Sequence, residues 1–275
     1  MSATETDVLS LFFPYKGHPT VSVTGDRCDL RCPHCMGHYL RGMVPLTTSD
    51  SVVSYVDSAS DEVESITFSG GCDMRGSVPL LLVEKGLKYA ADNGMRVCAH
   101  TGFQKDEEIR RLIDAGVTDF LIDLHQDPEI IRNVLGIPRE PGEYSDLIDS
   151  ILEHGGKVTV HLCLGFGKVD YELSKELMKR KGIREITVLT LVPTEGTCIE
   201  DSVIAEDTVV DCIRDLIDSG FEVTLGCMRD RSLRGLEKKS IDLGVRKIAN
   251  PSTDTELYAS EKGLSIVKKN TCCCL

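Results

Sequence analysis

Apolar residues in this chain come in short runs with a fixed companion. An amphipathic stretch closes on a glycine, and a β-branched apolar run follows it. The pairs are Asn93-Gly94 before Arg96-Val97-Cys98, Ala115-Gly116 before Phe120-Leu121-Ile122, and Gly155-Gly156 before Val158-Thr159-Val160. They continue with Lys181-Gly182 before Ile186-Thr187-Val188-Leu189, Ser219-Gly220 before Val223-Thr224-Leu225, and Leu243-Gly244 before Val245-Arg246-Lys247-Ile248. Glycine just past a helix takes the left-handed cap that a Cβ resists. The short runs read as buried parallel strands. Thr20-Val21-Ser22-Val23 and Ser65-Ile66-Thr67-Phe68 bring the set to eight. Helical spacing is clear between strands: Val209, Ile213 and Leu216 share a face, with Val210 and Ile217 beside them. Leu81, Val83 and Leu87 open another helix after Pro79, a favoured first-turn residue. Strands alternating with helices imply a parallel sheet. Eight units in about 250 residues predict a (β/α)8 TIM-type barrel, with a six-unit partial barrel as the second possibility. The barrel is expected over residues 1–265, with a cysteine-containing tail over 266–275. Chemistry in such barrels sits at the C-terminal ends of the strands.

Composition narrows the partners. The net charge of −13 repels phosphate backbones and excludes a broad nucleic-acid interface. A small-molecule or acyl-protein substrate is easier to accommodate. No run approaches 18 apolar residues, so no membrane span is expected. The start, Met1-Ser2-Ala3-Thr4-Glu5, lacks a basic region followed by an apolar run, so a cytosolic protein is expected. Twelve cysteines then point to metal–sulfur ligation, because disulfides are disfavoured in a reducing compartment. Cys212, inside a helical stretch, is expected only to pack.

The sharpest signal is Gly25-Asp26-Arg27-Cys28-Asp29-Leu30-Arg31-Cys32-Pro33-His34-Cys35, directly after the first strand of that set. Thiolates spaced C-x3-C-x2-C wrap three corners of a cubane and leave the fourth iron without a protein ligand. An open iron can chelate the amino and carboxylate groups of an amino acid. The competing chemistry is zinc, which prefers four closed ligands and would need His34 or His38.

On these residues the chain resembles the radical S-adenosylmethionine (SAM) superfamily. The resemblance implies a [4Fe–4S] cluster on Cys28, Cys32 and Cys35, SAM bound to it, and cleavage to a 5′-deoxyadenosyl radical. It implies that His34 lies near the adenine. The family's Gly-Gly-Glu motif is matched by Ser69-Gly70-Gly71-Cys72, with Cys72 in place of the acid. Its glycines let the backbone approach the SAM amino group. Within the superfamily the chain looks like biotin synthase and its relatives. Cys72, Cys98, Cys163 and Arg229 match that family's three cysteines and arginine around a second, sulfur-donating cluster. Cys227 stands beside Arg229 as a further candidate. The run Leu191 to Thr197, which includes Val192, is similar to a segment near SAM, and Gly165 in the Gly165-Phe166-Gly167 loop is a further candidate SAM contact. Asp127 is the counterpart of an aspartate on the SAM ribose. The family's asparagine-rich motif is replaced by Ile122-Asp123-Leu124-His125-Gln126-Asp127, which points away from dethiobiotin as substrate.

The tail thiols Cys272, Cys273 and Cys274 are foreign to biotin synthase. Leu264 to Cys274 is 11 residues, roughly 35 Å if extended, enough to climb back to the active face. There it is expected to ligate a second cluster or cover it; a disordered reactive tail is the alternative, and prenylation fails for want of aliphatic residues after Cys272. Extra cysteines on a biotin synthase-like barrel resemble the archaeal two-protein lipoyl synthases, which implies sulfur insertion into an octanoyl-type chain. That reading brings an electron donor such as ferredoxin or flavodoxin, and a partner radical SAM protein. A non-sulfur radical rearrangement or methylation, biotin synthase-type insertion, and a non-catalytic iron–sulfur scaffold remain as alternatives.

Overall fold

The computed structural model describes residues 8–59 and 63–275. Eleven strands form one sheet: β1 (Val8–Phe12), β2 (Thr20–Ser22), β3 (Val44–Pro45), β4 (Ser65–Ser69), β5 (Arg96–His100), β6 (Val117–Asp123), β7 (Lys157–Leu164), β8 (Glu185–Thr190), β9 (Glu222–Leu225), β10 (Lys247–Ala249) and β11 (Ser265–Lys269). All neighbours pair in parallel, in the order β11-β1-β10-β9-β8-β7-β6-β5-β4-β2-β3. Parallel neighbours need crossovers. The helices are α1 (Pro14–Gly17), α2 (Ser49–Ser58), α3 (Glu84–Asp92), α4 (Asp106–Asp114), α5 (Pro141–Glu153), α6 (Lys168–Arg180), α7 (Glu206–Asp218), α8 (Leu236–Asp242) and α9 (Thr253–Glu261). The expected TIM-type α/β architecture is therefore present, as a curled half-barrel whose end strands β11 and β3 do not pair.

The glycine-and-run pattern works because each run is buried on both faces. Ile66, Phe68, Val97, Phe120, Val160, Val188, Leu225 and Ile248 are all buried between the helices and the hollow of the sheet. The helix faces follow the spacing: Val209, Ile213 and Leu216 of α7 are buried, and Cys212 packs beside them against the core.

Three strands lie outside the eight runs read from the sequence. β1 precedes them. β3 and β11 are the open edges, and both carry residues that discourage further pairing: Pro45 in β3, Lys268 and Lys269 in β11. Residues 266–269, expected as the start of a tail, thus belong to a strand, β11, hydrogen-bonded to β1. Beyond it the chain turns inward. Thr271 shares a hydrogen bond of 3.1 Å with Ser65 at the start of β4. Cys273 and Cys274 then pack with Phe12, Cys98, Leu121 and Ala249 in a small apolar cluster of their own. The tail plugs the hollow from within.

Candidate active site

The cysteine loop follows β2 and folds on its own turns. The N–H groups of Cys35 and Met36 donate to the Cys32 carbonyl at 3.0 and 2.8 Å, and His38 N–H donates to the Cys35 carbonyl at 2.7 Å. This tight path needs left-handed backbone at Arg31 (φ 44°) and Met36 (φ 47°), a conformation that side chains resist and that clusters at functional sites. Cys32, His34 and Cys35 bring their ligand atoms within 4.8 Å of one another. Cys28 accepts the Arg31 N–H on its sulfur at 3.4 Å. Cys32 donates its proton toward Cys35, which holds the Cys35 thiol down, and His34 helps; the same bond and burial push Cys32 up. A thiolate is the ligating form.

Other elements clamp the loop. His34 N–H donates to Val134, in a π-helical turn over Ile130–Val134, at 3.2 Å. Cys198 N–H donates to the Pro33 carbonyl at 3.0 Å. The Tyr39 and Thr194 hydroxyls share a bond of 3.2 Å, and Thr194 in turn donates to the Val192 carbonyl at 2.9 Å. Ser69-Gly70-Gly71-Cys72 leaves β4 directly beneath the cysteines. A Cβ on Gly71 would sit 2.0 Å from the Arg27 carbonyl oxygen and 2.6 Å from Cys28 Cα. Glycine is required there for the two segments to touch. Gly165 (φ 122°) has the same office three strands on, after β7, where a Cβ would meet Leu191 at 2.7 Å.

Phe166, between Gly165 and Gly167, sets its ring edge-on to His34 and His125, with centroids 6.1 and 5.0 Å apart. His125 is fixed by Asp170 of α6 at 2.8 Å. Asp170 also accepts the N–H groups of Gln126 and Asp127 at 2.6 and 2.9 Å. Burial alone would raise the Asp170 pKa; these donors win and hold it below the usual carboxylate range. Asp127 spends one oxygen on the Glu129 N–H at 2.9 Å, starting the next turn. Sequence reasoning missed Asp170, Tyr39 and Thr24, whose hydroxyl accepts the Gly71 N–H at 2.7 Å. Only Asp170 carried a signal, as an acid in the first turn of a helix after a glycine loop.

The remaining cysteine candidates do not form one group. Cys72 sits with the triad: its carbonyl accepts the Asp29 and Leu30 N–H groups, and burial together with Cys28 and Cys35 pushes its thiol up to about 12. Cys163, near the end of β7, is pushed up by burial. Cys98 lies deeper, against the tail, where Cys272, Cys273 and Cys274 gather within 4.8 Å of one another. Cys227 is exposed beyond β9. Arg229 is buried and committed to Glu237 and to the carbonyls of Gly226, Ala249 and Asn250, tying the end of β9 to that of β10. Above the tail, His100, Asp123 and His161 face one another inside the hollow.

A curled parallel sheet that sets a three-thiol loop and a close-packed glycine pair at its strand ends defines a barrel enzyme built around a metal–sulfur cofactor. The chain belongs to the radical SAM superfamily, whose family model matches residues 22–180. It is 24% identical over 187 residues to a biotin synthase of Saccharopolyspora erythraea, covering 64% of this chain and 51% of that protein. The chain thus spans about half the length of that relative. Its fold is similar to the crystal structure of methylornithine synthase (PylB), with TM-score 0.65, 12% identity, and 95% and 84% of the two chains covered. It is also similar to HydG, a maturase of the [FeFe]-hydrogenase, with TM-score 0.64, 15% identity, and 98% and 66% covered.

The family implies a [4Fe–4S] cluster, SAM, a reductant and a substrate. The residues fit. Three thiols share one loop, and His34 Nδ1 is buried beside them with no protein partner among the described residues, a polar atom left for a bound group. No helix among the described residues is long and apolar enough to cross a membrane.

Proposed function

We propose that the protein inserts sulfur into an unactivated C–H bond of an acyl chain, drawing on a second iron–sulfur cluster held by the tail. The observation that carries this is the convergence of Cys272, Cys273 and Cys274 within 4.8 Å inside the barrel hollow, against Cys98. Thiols brought together in the interior, in a radical SAM enzyme similar over 187 residues to a biotin synthase, support a sulfur source close to the substrate. Cys28, Cys32 and Cys35 would hold the [4Fe–4S] cluster, with SAM beside His34, Ser69, Gly70, Gly71, Asp127, Gly165 and Val192. When bound, these groups supply an electron to the SAM sulfonium and a 5′-deoxyadenosyl radical that takes one hydrogen.

The chain's own residues then do positioning. Asp170 locks His125 and the backbone of Gln126 and Asp127, which holds the Phe166 ring against His34. The plugged lower hollow excludes water, so a carbon radical meets only what the barrel presents. A lipoyl synthase-like octanoyl substrate on an acyl-carrier protein, ferredoxin or flavodoxin as electron donor, and a partner radical SAM protein in the cytoplasm complete this reading. The polar group His100, Asp123 and His161 favours a second reading, a polar metabolite undergoing rearrangement or methylation without sulfur.

Replacing Cys28, Cys32 and Cys35 with Ala together, followed by anaerobic reconstitution and an iron and sulfide count, tests the proposal. About four irons per chain remaining indicates a second four-iron cluster, and about two a biotin synthase-like two-iron cluster. Essentially none overturns sulfur insertion and leaves the rearrangement reading.

A further inference from the structure

Three adjacent strands each send one ligand-type side chain to a common point in the hollow. His100 ends β5, Asp123 ends β6, and His161 is the direct cross-strand partner of Asp123 on β7. His100 pairs with Leu121, two residues before Asp123 and hence on the same face. Both histidines aim the same nitrogen at the carboxylate: His161 Nδ1 lies 3.2 Å and His100 Nδ1 3.7 Å from the two Asp123 oxygens. The three ligand atoms fall within 4.8 Å of one another. Asp123 remains 60% exposed, although it points into the hollow, so the point of convergence is open space rather than packed side chains.

We propose that His100, Asp123 and His161 bind a mononuclear divalent transition-metal ion in the barrel hollow, separate from the cysteine-bound clusters. Two imidazoles and one carboxylate are the donor set that holds ferrous iron or zinc and leaves coordination positions open. The outer contact of His161 matches. A ligating histidine needs its other ring nitrogen tied down to fix ring and tautomer. His161 Nε2 lies 3.2 Å from Cys274 Sγ, so the tail orients this ligand. The open positions take an anionic or carbonyl oxygen of the substrate, which the ion holds and polarises. This inference stands independently of sulfur insertion.

The test uses the full chain with its clusters reconstituted, incubated with Zn2+ and desalted. Zinc is counted by mass spectrometry apart from iron, and its ligands are read from zinc K-edge absorption. The expected result is about one zinc per chain with a nitrogen and oxygen shell and no sulfur. Asp123→Asn and His100→Gln lose the zinc while keeping the wild-type iron and sulfide content, which separates this outcome from any loss of cluster. Cys274→Ser weakens zinc affinity about ten-fold through the outer contact. Zinc also raises the melting temperature of the wild type and leaves that of Asp123→Asn unchanged. No retained zinc, or zinc undiminished in Asp123→Asn, overturns the proposal. A sulfur shell that vanishes when Cys272, Cys273 and Cys274 are replaced by Ser also overturns it, because the ion then belongs to the tail.

Discussion

Gly71 and Asp170 carry most of the site's geometry between them, by opposite means. Gly71 acts through what it lacks. Its hydrogen allows the strand end to lie against Arg27 and Cys28, so Gly71→Ala forces a Cβ to within 2.0 Å of a backbone oxygen that cannot rotate away. We expect this variant, after reconstitution, to bind less than about half the wild-type iron, since the cysteine loop must move off its ligand positions; wild-type iron content would show that the loop tolerates the displacement. Asp170 acts through its three hydrogen bonds. Asp170→Ala strands buried donors at about 1–3 kcal/mol each and is expected to cost at least about 2 kcal/mol in denaturant unfolding. The sign with pH follows from a folded pKa below the unfolded one. The Asp170 contribution is complete above the ordinary carboxylate value of about 4 and is lost as pH falls through the lower folded value. The stability gap between wild type and variant should therefore be flat from neutral pH down to about 5 and close below about 4; a gap that widened in acid would contradict the assignment. At this scale the sequence disclosed the cysteines and glycines, because their spacing is itself the chemical signal. Asp170 was hidden because its partners come from a segment more than 40 residues away, a distance no local pattern spans.

The elements were legible where burial made them so. Runs such as Ile186–Leu189 became strands because both faces are covered, and the helix face of α7 became core because its spacing leaves no other side to bury. Ile213 is completely buried there. Ile213→Ala is expected to cost about 2–5 kcal/mol by denaturant unfolding, with iron content unchanged after reconstitution at low temperature. A loss of iron without a loss of stability would place α7 in the site instead of under it. The edges were illegible for the same physical reason. β3 is two residues long, and β11 is largely exposed, so neither shows the continuous apolar run that marks a doubly covered strand. The π-helical turn Ile130–Val134 is another element without a sequence signature, yet its last carbonyl holds the His34 N–H. Such turns are frequent near functional sites, and here Val134 at the turn's end meets the cysteine loop.

For the whole molecule, an open sheet has to deal with an exposed lower hollow, and this chain fills it with its own C-terminus. Cys273 and Cys274 are buried against Phe12, Cys98, Leu121 and Ala249. The sequence showed a tail of thiols long enough to return to the active face as ligand or cover; the path inside the sheet was not legible, because five residues carry no periodicity and apolar burial inside the sheet competes with a path outside it. Plug and proposed cluster ligand are separable roles. Deleting residues 271–275 removes both. It exposes apolar surface worth on the order of 3 kcal/mol, removes the sulfur that orients His161, and is expected to lower the melting temperature and the iron content together. Replacing Cys272, Cys273 and Cys274 with Ser keeps the chain in place and removes only the thiols proposed as soft ligands. That variant should melt closer to wild type than the deletion does, and retain only the iron of the Cys28, Cys32 and Cys35 cluster, about four per chain. Full iron content in the Ser variant would make the tail a plug alone, and the second cluster would then have to be sought among Cys72, Cys98 and Cys163. An unchanged melting temperature in the deletion would mean that the half-barrel stands without its plug, with the stability carried by the sheet and its helices.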